Sequence, residues 1–198
     1  MTLPVTETLK LILNGPPQRP GHSSLQSGTV RDVAEAIALG NRLDALFETL
    51  QSDDPAPSTE EIEDEIWAIW TSHDDPALET RMQHAIAAIA RRRFDEAEQL
   101  LDGLVRDAPG WAETWNKRAT LRFLQHRDAE SVADIRRTLE LEPRHFGAIC
   151  GFGQICLRHG ETAAAAGVFA AALEVNPHLD SVRAMLAELE PDPPRRLN

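Results

Sequence analysis

The side chains best able to hold a metal or attack a substrate are seven histidines and two cysteines, and their spacing offers no site. The histidines are His22, His73, His84, His126, His145, His159 and His178, and the cysteines are Cys150 and Cys156. No His-Glu-x-x-His or Cys-x-x-Cys pattern occurs, so neither a metal nor a cofactor is expected. Gly151-Phe152-Gly153 has two glycines of a phosphate loop but lacks the third and a preceding strand. No Gly-x-Ser-x-Gly elbow, P-loop or paired acid and base is present, and the chain reads as non-catalytic. His126, His159 and His178 fall at turns, where a solvent-facing role is expected. On one helix, Cys150 and Cys156 would differ by roughly 240° in azimuth and about 9 Å in rise, too far apart to bridge. Free thiols suit a reducing compartment.

Charge narrows the partners. The net charge is −12, and the acidic excess gathers between Asp53 and Thr80, where Glu60, Glu61, Glu63, Asp64, Glu65, Asp74, Asp75 and Glu79 stand without a lysine or arginine. A nucleic-acid partner would require a basic footprint that displaces counterions. Arg91-Arg92-Arg93 is the longest basic run and reads as a solvated helix end. No stretch approaches the ~20 apolar residues of a membrane span. Met1 to Asn14 has neither a basic start nor an adequate apolar core for a leader. A cytoplasmic location is expected, or a periplasmic one if the natural start carries a leader.

The elements that would position any binding surface are helices. Ala, Leu, Glu and Arg dominate the second half, a helix-forming composition. Three helix endings close on proline, at Pro109, Pro143 and Pro177, spaced 34 residues apart twice. Proline stops a helix because it lacks the N–H and restricts the residue before it. With each proline at position 32, units run 78–111, 112–145 and 146–179, each with two amphipathic segments. A small residue recurs at position 8 (Ala85, Ala119, Gly153) and another at position 20 (Ala97, Ser131, Ala165). Small residues on facing sides let two helices approach closely, and Leu101, Ile135 and Phe169 at position 24 fill the seam.

Phe94-Asp95-Glu96-Ala97, Ala112-Glu113-Thr114-Trp115-Asn116, Gly153, Gly160, Ala165, Phe169 and Ala172-Leu173-Glu174 resemble the tetratricopeptide-repeat family, over Leu78 to Leu179. The resemblance implies an all-α, right-handed α-solenoid of three helix-turn-helix repeats that binds proteins or peptides. His84 and Arg118 depart from the family's leucine at position 7, and Arg81 from its aromatic at position 4. Three repeats are near the minimum that buries a continuous core, so caps are expected at both ends. Residues 28–77 supply the first: a helix over Thr29–Leu39, then a hairpin of Arg42–Leu50 and Thr59–Ser72 packing on repeat one. Ser58 with Glu61 three residues on is a capping box that starts the second of these. Residues 180–198 supply a capping helix, Asp180–Glu190, and a frayed tail. Residues 1–27 are expected to be a disordered extension with at most a turn or two of helix.

In the family the first helix of each repeat lines a concave groove. Carried over, this assigns Met82, Ile86 and Ile89 in repeat one, Asn116, Thr120 and Phe123 in repeat two, and Cys150, Gln154 and Leu157 in repeat three. Such a floor suits an apolar helix or extended peptide fixed by a few hydrogen bonds. The family's carboxylate clamp is absent, because Met82, Ile86, Lys117, Gly147 and Gly151 stand in its places. Arg118 is expected to pair with Asp134, and Trp115 to serve packing. The partner implied is an unidentified protein or peptide, with no nucleic acid and no membrane span. The alternatives are a self-associating homodimer or docking of a basic partner on the acidic hairpin.

Overall fold

The computed structural model describes residues 8–10, 12, 30–52 and 57–189. Every regular element among them is a helix: α1 (Val30–Leu50), α2 (Thr59–Thr71), α3 (Pro76–Ala90), α4 (Phe94–Asp107), α5 (Ala112–Leu124), α6 (Asp128–Leu141), α7 (Phe146–Arg158), α8 (Thr162–Val175) and α9 (Asp180–Leu189). The architecture is a tetratricopeptide-like helical solenoid of successive antiparallel pairs, α3/α4, α5/α6 and α7/α8. First helices lie beside one another, and α4 packs on α5 as α6 packs on α7.

The 34-residue period is written into the backbone of the turns. Arg92, His126 and Gly160 occupy the same place in each pair, and all three are left-handed, with φ of 57°, 60° and 74°. Each is followed by the same helix-closing bond: Arg93 N–H donates to Ala88 O, Arg127 N–H to Arg122 O, and Glu161 N–H to Cys156 O, at 2.8–2.9 Å. This is the six-to-one bond of a helix terminated through a left-handed residue. The second helices end alike, with Ala108, Glu142 and Asn176 donating to the carbonyl four residues back.

Size complementarity sets how closely each pair approaches. Ala97, Leu101 and Leu104 of α4 bury against Met82, Ala85 and Ala88 of α3, and Leu121 of α5 joins that cluster. A larger cluster spans the next two pairs and includes Ala119, Ile135, Phe152, Gly153's partner Phe169, and Val182 of α9. A Cβ on Gly153 would strike the ring of Phe169, so the smallest residue sits opposite the largest. Val182 is buried, and Met185, Leu186 and Leu189 lie against the same cluster, so α9 covers the last pair. The tail beyond Leu189 lies outside the described residues.

Two features at the start differ from the sequence reading. The segments expected as separate helices over Thr29–Leu39 and Arg42–Leu50 form one helix, α1, which carries Gly40 within it. An interior glycine costs a helix only about 1 kcal/mol, and Leu43, Leu46, Phe47 and Leu50 bury one face just beyond it. The α1–α2 hairpin was expected on the first pair. Its main partners are instead the second and third pairs, for reasons given below. Of residues 1–27, Thr8–Lys10 and Ile12 are described and helical; Thr8 is buried, and Leu9 and Ile12 pack against the cluster of the later pairs.

The Ser58 capping box is present in full: the Ser58 side chain accepts from Glu61 N–H, and the Glu61 carboxylate accepts from Ser58 N–H at 3.0 Å. These contacts hold the Glu61 carboxyl below its ordinary range.

Left-handed backbone costs a non-glycine residue about 1–2 kcal/mol. Replacing Arg92 or His126 by glycine is expected to raise stability by about 1 kcal/mol each, a few degrees in melting temperature for a chain of this size. Gly160→Ala is expected to lower it by a similar amount. Thermal melts followed by circular dichroism check all three.

Candidate functional site: the first-helix face and what covers it

The groove assigned from sequence lies on the first helices, and α2 is laid across part of it. Trp67 stands over Gly147 of α7, where a Cβ would come within 2.7 Å of the indole Cη2. Only the absence of a side chain at Gly147 lets the indole lie there. Trp67 packs edge-on to Phe146, with centroids 5.4 Å apart, and Lys117 of α5 places its ammonium 5.1 Å from the Trp67 ring. Trp70 stacks nearly parallel on His145, with centroids 4.1 Å apart and planes 11° apart.

Beneath the two indoles is a buried polar cluster. His145 and Glu113 are both fully buried, and His145 Nε2 lies 2.8 Å from Glu113 Oε2. His145 Nδ1 accepts the Ala148 N–H at 3.2 Å, capping the start of α7. That acceptor role leaves the ring proton on Nε2, which therefore donates to Glu113. Asn116 Nδ2 donates to the same carboxylate oxygen at 3.0 Å, and Lys117 Nζ lies 2.8 Å from the other. Burial alone would push the Glu113 carboxyl up. The His145 hydrogen bond and the Lys117 charge outweigh it, and the group is held below its ordinary value of 4.5.

The hairpin is tied down at its edges as well. Gln51 Nε2 donates to the carbonyls of Glu174 and Val175, at 3.1 and 2.9 Å. Asn176 Nδ2 donates to Glu63 at 2.7 Å, His178 Nε2 lies 3.0 Å from Leu50 O, and Arg144 pairs with Asp44 at 2.9 Å. Trp111 Nε1 donates to Trp70 O at 2.8 Å. These bonds anchor α1–α2 to the last pair and to the junction after α4, which is why it does not lie as a lid on the first pair. A crevice of ≈390 Å³ remains between α1 and the end of α8, lined by Phe47, Val175, Arg144 and the carboxylates of Asp44, Glu48 and Glu174.

The nine residues assigned to the groove meet different fates. Met82 is fully buried within the first pair's own core, so it offers nothing to a partner, contrary to its assignment. Asn116 is buried and committed to Glu113. Gln154 donates to the sulfur of Met185 on α9, and Cys150 is half-buried, its thiol pushed up to about 12 by burial. Phe123 is half-covered by the Arg158 guanidinium, 3.6 Å from its ring centroid. Ile86, Ile89 and Leu157 are half-buried, and Thr120 is exposed.

Arg118 makes the expected pair with Asp134, bidentate at 2.9 Å, and adds Asp102 at 2.8 Å; Arg122 reaches the same Asp134. Trp115 serves packing differently from expectation. It is half-buried, donates to Pro109 O at 3.0 Å, and has the guanidinium groups of Arg118 and Arg137 over its ring, 5.0 and 5.9 Å from the centroid, rather than an apolar core around it. The Glu113–His145 pair has no signature in the sequence, because 32 residues separate its members and His145 stands outside the repeat motif that holds Glu113.

No family model matches the chain. A TPR repeat-containing protein of Rhizobium etli is 36% identical over 119 residues, which are 60% of this chain and 58% of that relative. The resemblance to tetratricopeptide-repeat proteins is thereby shown. It agrees with the tetratricopeptide-like helix pairs and their recurring left-handed turns. The chain spans little more than half the length of this relative. Among the described residues no helix is long and apolar enough to cross a membrane, and no three His, Cys, Asp or Glu side chains gather to hold a metal.

Because the folded Glu113 carboxyl is depressed, it adds stability above its ordinary range, and that stability is lost as pH falls through the folded value. Glu113→Gln is expected to cost about 1–3 kcal/mol at pH 7 and to cost less as the solution is acidified below pH ~4. Urea unfolding at several pH values reads both effects.

Proposed function

We propose that this chain is a non-catalytic protein–protein interaction scaffold whose first-helix face receives an amphipathic helix. The observation that carries this reading is α2 itself, a helix seated on that face through Trp67 and Trp70. Two large aromatics one helical turn apart, entering a surface that supplies a glycine seat and a flat imidazole, form an anchor pair of the kind that dominates helix-in-groove recognition. Three acidic side chains of α2, Glu60, Glu61 and Asp64, are exposed, while Glu63 turns to the solenoid and accepts from Asn176. A partner of the same pattern would be apolar toward the scaffold and acidic toward water. Half-buried Ile86, Ile89 and Leu157 and exposed Thr120 extend the proposed surface beyond α2.

The alternative of self-association is favoured by Ile37 and Leu39 on α1, which are 49% and 43% exposed. A cytoplasmic setting is part of the proposal, in keeping with the free thiols of Cys150 and Cys156.

A fluorescein-labelled peptide of residues 58–73 tests the main reading. Titrated into the full chain carrying Trp67→Ala and Trp70→Ala, it is expected to bind with micromolar affinity by anisotropy. Adding Gly147→Leu to that chain is expected to abolish binding by filling the indole seat. Light scattering across salt tests the alternative, where a stable dimer at all salts would favour self-association.

A further inference from the structure

The hairpin that covers the face has an apolar cluster largely of its own. Leu43, Leu46, Phe47, Leu50, Ile62, Ile66 and Trp70 bury one another in a cluster whose remaining fully buried member is Phe146 of α7. The buried residues of this cluster are not shared with the two clusters that hold the helix pairs together, although half-buried Val175 and Leu179 pack against both it and the larger of the two. Most of the cluster is the hairpin's own; Phe146, with Val175 and Leu179 packed against the cluster, is the solenoid's contribution. The solenoid relies on it mainly to cover the Glu113–His145 cluster and Phe146.

The attachment itself is made of small parts. Trp67 over Gly147 and Trp70 over His145 supply the aromatic contacts. Gln51, Asn176, His178 and the Arg144–Asp44 pair supply polar ties, and Asp44 is 41% exposed in its pair. Each polar tie exchanges for water at little net cost. The connection from α2 to α3 is Ser72 to Asp75, so a hairpin that lets go stays within reach of the same face. A tethered helix competes with a free one at an effective concentration on the order of millimolar.

Resting on the helix-scaffold reading, we propose that α1–α2 is an intramolecular ligand that covers the part of the first-helix face at the starts of α5 and α7, and that the chain accepts a partner helix there by exchanging it for α2. The partner is an amphipathic helix with aromatic residues at i and i+3 on one face and carboxylates on the other. Lys117, paired with Glu113 and lying over Trp67, stands beside the seat that an incoming aromatic would take. Exchange leaves the helix pairs standing, because their clusters draw none of their buried residues from the hairpin.

The test compares the labelled 58–73 peptide on the full wild-type chain and on the Trp67→Ala, Trp70→Ala chain. The opened chain is expected to bind about tenfold or more tightly than wild type, since the wild-type face is mostly occupied. Equal affinity for both chains would overturn self-closure while leaving the helix-scaffold reading intact. Failure of the opened chain to bind, with helicity and cooperative melting retained, would overturn the scaffold reading itself. Hydrogen exchange on the wild-type chain needs no variant. Amides of α1–α2 are expected to exchange at least about tenfold faster than those of α5–α8, by an opening that spares the pairs. Exchange of both groups at one rate, through global unfolding alone, would show that the hairpin does not detach and would overturn the proposal.

Discussion

One imidazole joins three parts of this molecule. His145 caps α7 through Nδ1, donates to Glu113 of α5 through Nε2, and offers its face to Trp70 of α2. The two hydrogen bonds fix the ring's plane, and the plane fixes where an indole can stack. A buried carboxylate would be costly without partners. Here Glu113 has His145, Asn116 and Lys117, so the cost is offset and the ring is held rigidly. The position of the hairpin follows from that rigidity, because Trp70 has one flat surface to meet and Trp67 has one empty place, above Gly147.

The solenoid that carries this junction is held by shape. Each pair presents a small residue on one helix to a larger one on the other, most tightly where Gly153 meets Phe169. The left-handed turn at Arg92, His126 and Gly160 then reverses the chain in the same way each time. Repetition of one backbone solution brings α3, α5 and α7 side by side and makes a continuous first-helix face. That face is a product of repetition; what sits on it is a product of the residues that differ between repeats, Gly147 and His145 above all.

Ion pairs divide between these two tasks. The Arg118–Asp134–Arg122 group lies between the two helices of the second pair, with Arg118 and Asp134 only 13% and 3% exposed in their side chains, and it replaces the apolar residue usual at that seam. Arg42–Glu65 joins the two helices of the hairpin and Arg144–Asp44 ties it to the solenoid, both at the surface, where such pairs add little stability. Asp128 gathers Arg158 and His159 across the second and third pairs, and Arg158 in turn covers Phe123.

The sequence by itself determined the paired helices and their period, and the start of α2, because these follow from local patterns: prolines 34 residues apart, small residues at fixed places, and the Ser58–Glu61 cap; it divided α1 in two at Gly40. It also determined the Arg118–Asp134 pair, since the helical-pair frame brings those positions together. Only the tertiary structure decided where the hairpin lies. Its amphipathic pattern states that one face must be buried and does not say against what. The choice of the second and third pairs depends on an indole fitting over a glycine and another stacking on a histidine, contacts between residues about 75–80 positions apart that leave no periodic trace. Met82 and Asn116 read as surface residues in the repeat frame and are buried in the molecule, Met82 in the first pair's own core and Asn116 beside Glu113. A frame gives a residue's direction from its helix, and whatever packs above it decides whether it meets water.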